Sequence, residues 1–112
     1  MERIGRDVPL PDEMQGHWAD VEDSSSQLIV EGGEVVCFGQ PVAYDYKLIV
    51  AEDGALTVSL RVDDETFEDE FQRSNVTELV VTPEGEFHAY NVKFASQFER
   101  VGRKTDAVNH PD

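Results

Sequence analysis

The chain has 112 residues, 39% of them hydrophobic, which suits one globular domain with a modest core. It carries 24 acidic and nine basic side chains, a formal net charge of -15, and residues 7–99 hold 21 acids against only Lys47, Arg61, Arg73 and Lys93. That balance excludes direct nucleic-acid binding, which needs Lys and Arg to neutralise phosphate, and disfavours anionic membranes. A basic partner, a cation or plain solubility fits it, and solubility is the plainest of the three.

Residues 1–13 read as a polar, extended N-terminal arm. Pro9 and Pro11 forbid a helix there, and Val8 and Leu10 are candidates to staple the arm to the body. The start of the arm has no apolar run of the kind a secretory leader needs, and no segment approaches transmembrane length. Cys37 is alone, so no intrachain disulfide forms. These features predict a cytoplasmic protein.

The single domain is expected over residues 14–101. Its first strand contains Gly16-His17-Trp18, and a polar loop of Asp and Ser follows. Residues 27–30 and 35–38 flank Glu31-Gly32-Gly33-Glu34, the first hairpin. Residues 44–50 and 56–62 flank Asp53-Gly54, the second. Leu56, Val58, Leu60 and Val62 alternate with Thr57, Ser59 and Arg61, and Tyr44, Tyr46, Leu48 and Val50 are expected on the matching inner face.

Residues 63–75 place Asp63, Asp64, Glu65, Glu68, Asp69 and Glu70 around Phe67 and Phe71. A spacing of four permits a helical turn. The same residues also permit a strand with both rings inward, and the strand is the expectation because it continues the meander. Residues 76–82 and 87–101 then flank Pro83-Glu84-Gly85-Glu86, the third hairpin. In its outgoing strand Tyr90, Val92, Phe94 and Phe98 share one parity, together with His88, and are expected inside. Residues 102–112 lack any period and read as a flexible tail. The fold class is therefore all-β: an antiparallel up-and-down meander of seven or eight strands, closing into a small barrel or a strongly bent sheet.

A Gly-x-Trp on the first strand followed by up-and-down hairpins resembles the lipocalins and wider calycins. The resemblance covers about residues 14–101. It implies a barrel in which Trp18 plugs one end beside Arg100, and an interior that takes a small apolar ligand. The family's Thr-Asp-Tyr motif is missing, as is its C-terminal helix.

The chemistry-bearing residues are sparse. His17, His88 and His110 form no His-x-His or His-x-x-x-His pair, and the acidic run lacks the spacing of an EF-hand, so neither a metal nor a cofactor is expected. Ser24-Ser25-Ser26 lacks a nucleophile elbow. Gly32-Gly33 is a turn with no helix behind it, so it is no phosphate cradle. Cys37 between Val36 and Phe38 reads as inert packing.

Three functions compete. The first is a non-enzymatic acidic binding module, of the immunity or inhibitor type, that docks a basic protein through Asp63, Asp64, Glu65, Phe67, Glu68, Asp69, Glu70 and Phe71. The second is a carrier of a small apolar ligand, lined by Trp18, Tyr44, Tyr46, His88, Tyr90 and Phe94. The third, an enzyme using His88 with nearby tyrosines, lacks any acid–base pair or nucleophile at diagnostic spacing.

Overall fold

A computed structural model describes residues 2–37, 39–91 and 95–101. Among them ten strands form one antiparallel sheet, strongly curled into a half-barrel. They are β1 (Ile4–Gly5), β2 (Gly16–Asp20), β3 (Gln27–Glu31), β4 (Glu34–Cys37), β5 (Gln40–Pro41), β6 (Tyr46–Glu52), β7 (Ala55–Arg61), β8 (Glu78–Val81), β9 (Phe87–Tyr90) and β10 (Ala95–Arg100). A 3-10 turn over Asp12–Met14 precedes β2, and another over Glu65–Phe67 leads into the helix α1 (Glu68–Ser74).

The order across the sheet is β1-β6-β7-β8-β9-β10-β2-β3-β4-β5. The two ends of the meander meet: β10 lies against β2, with Arg100 opposite Trp18 and Phe98 opposite Asp20. The three Gly-bearing hairpins form where the sequence places them. Asp53 and Gly54 both take positive φ, 54° and 84°, the left-handed pair that a two-residue turn between right-twisted strands requires.

Period-two alternation fills the interior. Val30 faces Val35, Leu28 faces Cys37, Val58 faces Leu79, and Phe87 faces Phe98, and all eight are buried. Trp18 packs 4.4 Å from Phe87, centroid to centroid, and Phe87 lies 6.5 Å from Phe98.

Three expectations are corrected. First, where a strand was expected over residues 63–75, a 3-10 turn (Glu65–Phe67) and the helix α1 (Glu68–Ser74) form. Its first turn holds Glu68, Asp69 and Glu70, where the partial positive charge of the helix N-terminus suits carboxylates, and Arg73 sits in the last turn. Asp69 and Arg73 pair at 2.6 Å, and Gln72 donates to Glu68, both at the helical spacing of four. A strand would have lined the same acids up two residues apart on one ladder.

Second, residues 87–101 are two strands. Tyr90 lies opposite Ala95 and Phe87 opposite Phe98, so the chain reverses within the run. The reversal flips the parity: Phe87, Ala89 and Phe98 point inward, while His88 and Tyr90 belong to the outer face.

Third, the inner face of β6 is the odd set. Lys47 opposes the buried Leu60, and Ile49 opposes the buried Val58. Tyr46, Leu48 and Val50 oppose Arg61, Ser59 and Thr57 on the outer face. Tyr44 is buried as expected, but ahead of the strand.

The cause of this inversion is the N-terminal arm. Lys47 is fully buried, and its ammonium donates to the Gly5 carbonyl at 2.6 Å, to the Val8 carbonyl, and to the Tyr44 hydroxyl at 3.4 Å. The Tyr44 hydroxyl in turn donates to the Gly33 carbonyl. Three acceptors satisfy an ammonium that would otherwise not tolerate burial. Arg6 adds a pair with Glu34 at 2.6 Å, and the Leu10 amide donates to the Gly32 carbonyl at 2.9 Å. Leu10 is buried while Val8 stays exposed. The arm passes so near the first hairpin that a Cβ on Gly33 would stand 1.8 Å from the Arg6 carbonyl oxygen.

Candidate functional site

The acidic segment forms the wall of a surface groove. Asp64 accepts hydrogen bonds from the Thr66 amide at 2.9 Å and the Thr66 hydroxyl at 2.7 Å, which starts the 3-10 turn. The hydroxyl bond, with the amide bond behind it, holds the Asp64 carboxyl below its ordinary range and so keeps it anionic. The turn and α1 place Phe67 and Phe71 one helical turn apart, with opposite fates. Phe71 is buried in the core, whereas Phe67 is 59% exposed.

Beside Phe67 lies a groove of about 500 Å³. Ala43, Val62 and Phe71 give it apolar surface, and Asp45, Asp64 and Glu70 supply its charge. Asp45 accepts from the Asp63 amide at 2.8 Å, which ties the start of the acidic segment to the residue just ahead of β6. Asp63 pairs weakly with Arg3 at 3.6 Å, and Asp69 pairs with Arg73. Among the described residues no ion pair engages Asp45, Asp64, Glu65, Glu68 or Glu70. The groove therefore combines an exposed aromatic ring with several unneutralised carboxylates.

Asp63, Asp64, Glu65, Phe67, Glu68, Asp69 and Glu70 all lie on this one exposed feature, and Phe71 supports it from below. The other expected set does not converge. Trp18 and Tyr44 are interior. Tyr46 is on the outer face, with Arg3 stacked 4.4 Å over its ring. His88 and Tyr90 are also outside, stacked at 6.2 Å with planes 5° apart, and His88 pairs with Glu86 at 3.2 Å. Phe94 lies outside the described residues. His88 on β9 and Tyr46 on β6 are three strands apart, roughly 14 Å at the ordinary strand spacing. Of the five described, only Trp18 and Tyr44 are interior.

Trp18 and Arg100 do meet. The Arg100 guanidinium stacks 4.3 Å over the indole and donates to the Gln15 carbonyl at 2.7 Å and the Glu13 carbonyl at 3.3 Å. The indole N–H donates to the Met14 carbonyl at 3.0 Å. A second groove, of about 450 Å³, opens beside them, but its guanidinium is already committed to these carbonyls.

Sequence reasoning missed Lys47. Both parities of the run 46–51 are apolar apart from this lysine, and a charge on one parity marks that parity as solvent-facing. Only the position of the arm's carbonyls overturns that inference, and local sequence carries no sign of it. Cys37 is buried, and desolvation pushes its thiol from 9.0 up to about 12, which favours the protonated thiol. Among the described residues no three Asp, Glu, His or Cys side chains gather as a metal site, and no helix is long and apolar enough to cross a membrane. No family model, curated protein or solved structure matches this chain.

Proposed function

We propose that this chain is a non-enzymatic acidic binding module, of the immunity or inhibitor type, that docks a basic protein through the α1 segment. The observation that carries this reading is Phe67. A large ring held 59% exposed beside a groove bearing Asp45, Asp64 and Glu70 has the anatomy of an interface: an apolar anchor within a charged rim. Clustered carboxylates repel one another, so holding them together costs stability that spreading them would avoid. A basic partner would relieve that repulsion and be steered by it.

The partner, recovered with tagged protein and identified, provides the test. Its affinity should fall when Phe67 is replaced by Ala, and fall again when Asp64, Glu68 and Glu70 are reversed to Lys. An affinity indifferent to both substitutions removes the reading.

The second reading is a lipocalin-like carrier. The packing of Arg100 on Trp18 favours a lipocalin-like architecture. Against a ligand inside, Trp18, Phe87 and Phe98 already occupy the interior and touch one another. Binding of an apolar fluorescent probe that quenches Trp18 at stoichiometric ratio would support the carrier; no quenching would dismiss it.

A further inference from the structure

The helix sorts its own acids. Phe67, Glu70, Phe71 and Ser74 are spaced i, i+3, i+4 and i+7, one helical face, and all four line the groove. The acids on its other faces are engaged: Glu68 accepts from Gln72, and Asp69 pairs with Arg73. Asp63, ahead of the helix, meets Arg3. The carboxylates left to the groove are Asp45, Asp64 and Glu70.

Their hydrogen bonds fix what stays open. Asp45 accepts the Asp63 amide on Oδ2, and Asp64 accepts both Thr66 bonds on Oδ1. Among the described residues no hydrogen bond or ion pair reaches Asp45 Oδ1, Asp64 Oδ2 or the Glu70 carboxylate. Arg6 feels the charge of Asp45, but its guanidinium is held by Glu34 and by the Tyr44 carbonyl. Asn75 donates its side-chain N–H to the Phe71 carbonyl at 3.2 Å, which leaves its amide oxygen open. The groove side chains thus offer open acceptors on Asp45, Asp64, Glu70 and Asn75. Against these stand two kinds of donor, the Ser74 hydroxyl and the second amide hydrogen of Asn75.

That inventory suits a cation that donates in several directions and accepts nothing. A guanidinium carries five N–H donors in one plane and no acceptor. It is weakly hydrated and stacks on aromatic faces, whereas an ammonium is a strongly hydrated point charge. Phe67 supplies an exposed ring, and Ala43 and Val62 supply apolar surface for the methylene stem.

We propose that the groove is the seat of one arginine side chain of the basic partner, its guanidinium shared among Asp45, Asp64 and Glu70 and stacked on Phe67. The existence of a partner rests on the acidic-module reading; the choice of arginine over lysine rests on the open acceptors and the exposed ring.

The test titrates the full chain with acetyl-Gly-Ser-Arg-Ser-Gly-amide, and with the same peptide carrying lysine or citrulline in place of arginine, following backbone amide shifts. Shifts should centre on residues 43–45 and 62–75. The arginine peptide should bind about tenfold tighter than the lysine peptide, the margin that stacking and a second hydrogen bond would give. Citrulline, uncharged but of the same shape, should not register. Asp45→Asn and Asp64→Asn keep an oxygen for the Asp63 and Thr66 donors and place NH2 where the open oxygen stands. Each should weaken the arginine peptide about three- to tenfold with circular dichroism unchanged. Phe67→Ala should bring the two cationic peptides close to parity. Equal binding of arginine and lysine peptides in the groove, or a preference that survives Phe67→Ala, overturns the arginine seat while the broader acidic module stands. Shifts confined to the second groove beside Trp18 overturn it as well. In the identified partner, one arginine changed to lysine should cost about tenfold in affinity. If every such change is silent while the charge reversals on this chain still weaken binding, the seat fails and the module stands; if the reversals are silent too, both fail.

Discussion

Trp18→Ala is the substitution whose cost the structure specifies most fully. Trp18 is 6% exposed and packs between the Phe87 ring and the Arg100 guanidinium. A tryptophan buries about 150–250 Å². At about 25 cal/mol per Å², its removal forfeits about 4–6 kcal/mol, of which the retained methyl and partial collapse return a part. Truncation also strips the Met14 carbonyl of its indole donor, adding about 1 kcal/mol. The expected loss is about 4–5 kcal/mol, a large share of the stability of a small domain. It lowers the melting temperature by about 20 °C or more. Because Trp18 is the sole tryptophan, urea titrations should be followed by far-UV circular dichroism rather than emission. Trp18→Phe keeps a ring against Phe87 and loses the indole N–H, so it should cost about 1–2 kcal/mol. An Ala variant within about 1 kcal/mol of the parent would show that the joint between β10 and β2 does not hold the sheet together.

Other expectations follow from the arm and the buried thiol. Gly33→Ala should destabilise by about 1–3 kcal/mol and raise amide exchange in residues 4–10, since its Cβ meets the Arg6 carbonyl oxygen at 1.8 Å; unchanged exchange there refutes the close passage of the arm. The folded-state pKa of Cys37, about 12, lies above its ordinary 9.0, so the unfolded chain loses that proton first as pH rises. Stability should therefore decline from about pH 9 to about pH 12, and Cys37→Ala should flatten the decline, as measured by urea midpoints. Tyr44, raised from 10.0 to about 12 mainly by burial, acts in the same direction over a narrower window. Lys47, whose pKa burial lowers from 10.5, acts oppositely. The unfolded chain then binds more protons between its folded and ordinary values, so stability from this group rises across that window.

The sequence makes the hairpins legible because glycine at a two-residue turn has few alternatives. It makes the alternation of 56–62 legible because one parity is wholly apolar. It fails where both parities are apolar, as at 46–51, and where a tertiary contact chooses the face: there the arm's carbonyls, some forty residues upstream, draw Lys47 inward. It fails again at 87–101, where a reversal between Tyr90 and Ala95 carries no glycine or proline to announce it. In residues 63–75 the correct alternative was already present as a spacing of four. The acids of the first turn, with Arg73 in the last, were the signal that favoured helix over strand. Both readings put the phenylalanines among the acids. Tyr46, His88 and Tyr90, expected inside by parity, lie on the outer face.

The central claim is that the α1 segment recruits a basic protein. Its most direct test is the association rate of the identified partner between low and physiological salt, for the wild-type chain and for the variant with Asp64, Glu68 and Glu70 reversed to Lys. The wild-type rate should fall steeply with salt, because screening over about 8–10 Å weakens the field of exposed carboxylates. The variant should start slower and lose most of that dependence, with its circular dichroism unchanged. Equal rates and equal salt slopes for the two proteins would contradict the account.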